Sequence, residues 1–398
     1  MKIDSDNCAI SMASTWIWAP ALFVSSSIAY NYGILGLLLF LVPNVLTLFL
    51  FGYIAQKAIK KRFITKSIGN FGCIANMKKL QLFVAIFLQI CSMLVQTMGI
   101  NLLLGVFNLS TPVTLLISAI YLFTALAISL MGFKTVVNTD MLKYIFTLGI
   151  GAILLYLAFM NNSIEYLSFD GFKDKSYLIS FGIITSIGLL TAPYIDETFW
   201  QRALSVEPDK IFTTFIKAGL FFFLVPFVFG CIGLGFSSLP FIEGWNISDA
   251  FKANPTTTLL LVIAVSSTLL STLDSSASAL YNLLEIKYKS KMQFLLYLLL
   301  YPCILILAFN LTKLTTITTV FLFYGTVRTC MFIPIVFYIF SCKVDWGKMY
   351  IYSLIAVIFS LIVYPLLATF LPDYSFIGVL TALVLPSFAY RKKQSLVQ

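Results

Sequence analysis

The chain contains no histidine. Imidazole acid–base catalysis, His-containing triads and His metal sites are therefore excluded. Charge is scarce too. Only 11% of the 398 residues are charged, against about a quarter in soluble globular proteins. The 7 cysteines form no CxxC pair, and most sit in apolar runs, where a free thiol acts as a small hydrophobe. No disulfide or metal site is read from them. The first residues, MKIDSDNCAI, carry one lysine and two aspartates and lack a cleavage-site pattern, so they do not form a signal peptide.

What fills the chain is apolar surface: 60% of residues are hydrophobic, and the mean hydropathy is +0.96. These values predict an all-α polytopic membrane protein, a single transmembrane domain spanning 1–398. At roughly 20 residues per spanning helix, about a dozen spans fit. Twelve apolar segments are found, at 9–30, 34–57, 80–106, 113–132, 138–160, 178–204, 209–236, 256–284, 292–309, 314–341, 349–371 and 374–390. Backbone groups in hydrocarbon must bond to one another, and no barrel-type alternation is visible, so helices are expected.

The net charge of +10 is read as loop bias, not as a sign of a nucleic-acid partner. One set of alternate loops holds Lys57–Lys79, Lys134, Lys143, Arg202, Lys210, Lys287–Lys291, Lys343, Lys348 and Arg391–Lys393. The opposite set holds only Lys173, Lys175, Lys252 and Lys313. This asymmetry predicts a cell-membrane protein with both termini in the cytoplasm.

Two segments are interrupted alike. The first reads SMASTWIWAPALFVSS, with Pro20 inside. The sixth reads SIGLLTAPYIDETFWQRALS, with Pro193 inside and Asp196 and Glu197 beyond it. Proline removes a helix hydrogen bond. Paired interruptions in corresponding halves point to an inverted-repeat transporter, although two ordinary kinks give the same pattern.

Charges within spans ask for a reason. Asp274 lies among Thr268, Ser271, Thr272, Ser275 and Ser276, a hard-oxygen set suited to Na⁺ or to a proton on the carboxylate. Helix–helix packing explains the hydroxyls but not Asp274. Arg328 could pair with a buried carboxylate or anchor an anionic solute. Trp16, Trp18, Phe199 and Trp200 flank the breaks, where gating or solute stacking competes with ordinary packing.

Four stretches in order resemble the sodium:solute symporter family: SMASTWIWAPALFVSSSIAYNYG, MGFKTVVNTDMLKYIFTLG, DETFWQRALSVEP and STLLSTLDSSASAL. The Trp-rich first stretch is similar to the urea and polyamine transporter branch. The resemblance implies a LeuT-type fold: two inverted five-helix repeats (about 9–160 and 178–341) and two extra C-terminal helices (about 349–390). It implies symport of a small polar solute by alternating access, with Na⁺ as coupling ion, no other metal or cofactor, and no enzymatic activity. The main sodium site would use carbonyls of Ala13, Trp16 and Thr268 and hydroxyls of Ser271 and Thr272. A second cation site would map to Asp140, Ser271, Asp274 and Ser275. Solute or gate residues would be Trp18, Gln96, Asp196, Phe199 and Trp200.

The chain also departs from the family pattern. Lys143 replaces a Gln, Asp196 and Glu197 replace an amide-rich pair, and Asp274 stands where a hydroxyl is common. These changes leave open proton coupling through Asp274 and a non-transporting, sensor-like relative. A major-facilitator transporter is disfavoured because the loop AQKAIKKRFITKSIGNFG lacks that fold's Gly-x-x-x-Asp-Arg signature.

Overall fold

The computed structural model describes residues 2–390 except 71–73, 106, 108, 161–166, 172, 174–175, 243–244, 286–290, 315–316, 341 and 371–375. The described residues are mostly helical, with connecting turns and one isolated antiparallel bridge between Val344 and Tyr390. In order, the helices are α1 (Ser5–Trp16), α2 (Ala19–Lys60), α3 (Ala75–Gly105), α4 (Thr111–Leu130), α5 (Phe133–Met160), α6 (Ser176–Thr191), α7 (Glu197–Ser205), α8 (Ile211–Phe236), α9 (Ile247–Phe251), α10 (Pro255–Leu283), α11 (Lys291–Leu314), α12 (Ile317–Thr329), α13 (Phe332–Ile339), α14 (Trp346–Phe370) and α15 (Phe376–Val384). Among the described residues, seven helices are long and apolar enough to cross a membrane, and four shorter apolar helices accompany them. The chain is a multi-pass membrane protein, and the described residues of the apolar segments read from the sequence fall mostly on helix.

The long α2 is two helical stretches joined at Gly33, whose backbone is non-helical with φ +67°, so the boundary between segments 9–30 and 34–57 falls where the sequence reading put it. The bend admits a loop: Ile34 N donates to the Phe169 carbonyl at 3.0 Å, and Lys173 N donates to the Asn31 carbonyl at 2.9 Å. A Cβ at Gly33 would lie 2.1 Å from the Phe169 oxygen. Strain at positive φ costs about 1–3 kcal/mol before that clash is counted. Gly33→Ala is therefore expected to destabilise the protein by at least that amount, read as an earlier unfolding midpoint in detergent.

Both prolines interrupt their helices as the sequence predicts. α1 stops at Trp16, with Ile17 N donating back to the Ala13 carbonyl at 2.8 Å, and α2 opens with Pro20 in its first turn. The first turn is where a missing N–H costs least. Pro193 sits in a 3-10 turn, Ala192–Tyr194, between α6 and α7. Asp196 then caps α7, accepting from Thr198 N at 3.0 Å.

α10 forms the central post, packed against α1, α3, α4, α5 and α7. It shows one side to the breaks and another to α5. α5 itself is two-faced. Leu142, Ile145 and Phe146 are exposed, as lipid-facing residues would be, while Asp140, Lys143 and Thr147 are buried at i, i+3 and i+7.

Candidate functional site

Two polar centres meet at α1 and α10. The first is a cluster of four charges. Asp140 and Asp274 are fully buried, as is Arg202, and Lys143 is nearly so. Arg202 Nη2 donates to Asp140 Oδ2 at 2.9 Å. It also donates to Thr15 Oγ1 at 2.6 Å and Ser275 Oγ at 2.9 Å, while Nε reaches Ser11 Oγ at 3.0 Å. Lys143 Nζ bonds Asp274 Oδ2 and lies 3.4 Å from Asp140 Oδ1. Ser11 and Ser271 each donate to Asp140 at 2.7 Å. Two carboxylates thus face two cations, and the cluster is electrically balanced. Breaking one such buried pair costs about 3–5 kcal/mol, because the remaining charge is left uncompensated.

Lys143 and Arg202 are not loop cations, as the charge tally assumed. Each lies within a helix, drawn inside by the carboxylates of α5 and α10. The sequence reading also passed over Ser11 and Thr15. Their signal was their position, one turn apart on the helix that Pro20 ends.

The residues assigned to the main sodium position lie close together. Thr272 Oγ1 donates to the Thr15 carbonyl at 3.2 Å and to the Thr268 carbonyl at 3.3 Å. Ser271 Oγ is 3.0 Å from Ser14 Oγ, next to Ala13 in the chain. The Ala13 carbonyl accepts from Ile17, and Trp16 is the last residue of α1. The Thr272 hydroxyl of α10 therefore touches α1 backbone at its break, and Ser271 meets the Ser14 side chain. Ser275 belongs to the charged cluster through Arg202 and Thr15.

The second centre is a small, partly open cavity lying at both breaks. Its aromatic lining is Trp16, Trp18, Phe199 and Tyr324, and its polar lining includes Asp196, Ser92, Thr272 and Arg328. Trp16 and Phe199 meet edge to face at 5.0 Å, and Trp18 meets Tyr324 at 6.3 Å. Asp196 Oδ1 accepts from Gln89 at 3.0 Å and from the Thr198 hydroxyl at 2.7 Å. Its Oδ2 is 3.4 Å from Arg328 Nη2. The Arg328 guanidinium stacks 4.1 Å from the Tyr324 ring centre. Among the described residues, Arg328 Nε and Trp16 Nε1 are buried N–H donors without a hydrogen-bond acceptor.

Two sequence-assigned residues stand elsewhere. Gln96 is buried in α3 but is not part of the cavity lining, which Ser92 of the same helix reaches instead. Trp200 turns away, donating to the Tyr194 carbonyl at 3.0 Å and packing on Phe51 at 4.9 Å. Glu197 is not a loop carboxylate. It is buried and accepts from Ser67 at 3.1 Å, Ile68 N at 2.9 Å and Asn282 at 2.5 Å, tying the 61–70 turn to α7 and α10.

Broken helices facing a hydroxyl-rich post around a central cavity define the LeuT-type fold, and solved structures agree. The chain is similar to a Na⁺-coupled sialic acid symporter solved in a substrate-bound outward-open state. The two share 14% identity over 99% of this chain and 92% of that one, with a TM-score of 0.62. Mhp1, a nucleobase-cation-symport-1 family transporter, gives 13% identity, 97% and 91% coverage and a TM-score of 0.61. MhsT in complex with L-phenylalanine gives 14% identity, 96% and 99% coverage and 0.57. These neighbours are secondary transporters. No protein-family model and no curated protein matches the chain.

Proposed function

We propose that this protein is a secondary active transporter in the cell membrane that moves a small polar solute by alternating access, coupled to Na⁺. The observation that carries the reading is the cavity between the two interrupted helices, directly beside the Thr272–Thr15 contact. An ion held by the α1 carbonyls and α10 hydroxyls would brace the break whose far side lines the cavity. Ion and solute would then each raise the other's affinity.

The lining narrows the solute. Asp196 is already supplied with donors, whereas Arg328 Nε and Trp16 Nε1 find no acceptor among the described residues. The solute would offer an acceptor, such as a carboxylate or carbonyl, and its flat or apolar part would lie among Trp18, Phe199 and Tyr324. Proton coupling through Asp274 gains less support, because that carboxylate is ion-paired with Lys143. The tally of loop charges still favours cytoplasmic termini once Lys143 and Arg202 are removed from it.

A binding screen on the purified protein, across urea, amino acids, sugars, carboxylates and polyamines in NaCl and in choline chloride, tests the reading. A ligand bound more tightly in NaCl is expected, with the difference lost in Thr272→Ala. Equal binding in both salts for every ligand would oppose sodium coupling.

A further inference from the structure

The position between Asp140 and Asp274 is where the sequence reading placed a second cation. In the fold, a side chain of the protein stands there. Lys143 projects from α5 one turn beyond Asp140, spans to α10, and touches both carboxylates. Arg202 closes the other side of Asp140 from α7. Both Asp140 oxygens and Oδ2 of Asp274 therefore already face a cation or a hydroxyl. A free ion entering here would meet two fixed positive charges and no surplus negative one.

We propose that the Lys143 ammonium is a tethered cation that fills the second ion position, so that no Na⁺ binds between Asp140 and Asp274. Lys143 thereby determines ion stoichiometry: sodium coupling, where it occurs, runs through the α1–α10 site alone. This rests on the transporter reading above for its place in the cycle, but its chemistry concerns the cluster alone.

The geometry makes a specific exchange possible. Lys143→Gln would leave two carboxylates against one guanidinium, with Ser271 and Ser275 supplying neutral oxygens. That is a vacant, negatively charged, hard-oxygen site. Lys143→Gln/Asp274→Asn would restore neutrality and remove the site again.

Equilibrium binding of radioactive ²²Na⁺ to the purified full chain in lipid nanodiscs, at saturation and neutral pH, tests the proposal. The wild type is expected to bind no more than one sodium ion per chain. Lys143→Gln should bind one more than the wild type and unfold later in NaCl than in choline chloride. The double variant should return to the wild-type number. Two ions bound to the wild type would overturn the proposal. So would a folded Lys143→Gln variant with the wild-type number. Should Lys143→Gln not fold in either salt, the wild-type stoichiometry decides alone. Failure of sodium coupling remains distinguishable: the wild type would then bind no sodium, while Lys143→Gln would still gain one ion.

Discussion

Arg202→Met is expected to yield little folded protein. Arg202 is fully excluded from solvent and serves five acceptors on α1, α5, α7 and α10, counting the Thr198 carbonyl at 3.1 Å. Methionine keeps much of the volume but strips Asp140 of its nearest cation. The cost, about 3–5 kcal/mol, is a large share of a typical folding free energy of about 5–15 kcal/mol. Asp140→Asn/Arg202→Met removes both charges and should recover most of the loss, because the penalty arises from the orphaned carboxylate rather than from a missing bond. Yield of monodisperse protein and the denaturation midpoint check this. An Arg202→Met variant as stable as the wild type would show that the cluster is not what joins the four helices.

Arg328→Met should act on binding instead. Arg328 stands at the cavity, stacked on Tyr324, with a long contact to Asp196 and an Nε that meets no acceptor among the described residues. Asp196 retains Gln89 and Thr198 when Arg328 is lost, so the fold should survive. A charge-assisted hydrogen bond to solute is worth about 1.5–3 kcal/mol, so affinity should fall on the order of 10- to 100-fold. Titration of the solute found by the binding screen measures it. Unchanged affinity in a well-folded variant would reduce Arg328 to a partner of Asp196 and Tyr324.

The helices were legible because long apolar runs leave few other choices in hydrocarbon. The breaks were legible because Pro20 and Pro193 cannot continue a helix hydrogen-bond ladder. Asp274 stood out as a charge in a costly place, and the family resemblance pointed to Asp140. Their partners did not. Lys143 and Arg202 lie near segment ends, where hydropathy blurs the boundary between helix and loop, and their pairing joins residues more than a hundred positions apart in the case of Lys143 and Asp274. Only packing brings α5, α7 and α10 to one point. One local clue was available: Asp140, Lys143 and Thr147 recur at helical spacing on one face of α5, opposite Leu142, Ile145 and Phe146. Trp200 and Gln96, named from the sequence, do not line the cavity. Closeness in sequence to a break, or polarity within a span, does not say which way a side chain points.

The fold also explains why the two centres should communicate. Thr15 and Thr272 line the cavity, and Thr15 also holds Arg202 and Ser275 in the charged cluster. A solute that shifts the end of α1 would therefore disturb both the cluster and the Thr272 hydroxyl of α10. Tightly packed contacts of this kind favour discrete alternatives over gradual deformation.

The most direct measurement is accumulation of the bound solute in proteoliposomes under an inward sodium gradient, compared with equal sodium on both sides. Concentrative uptake that appears with the gradient and collapses when a sodium ionophore dissipates it is the expected result. Uptake that only equilibrates, at the same rate with and without the gradient, would contradict sodium-driven transport.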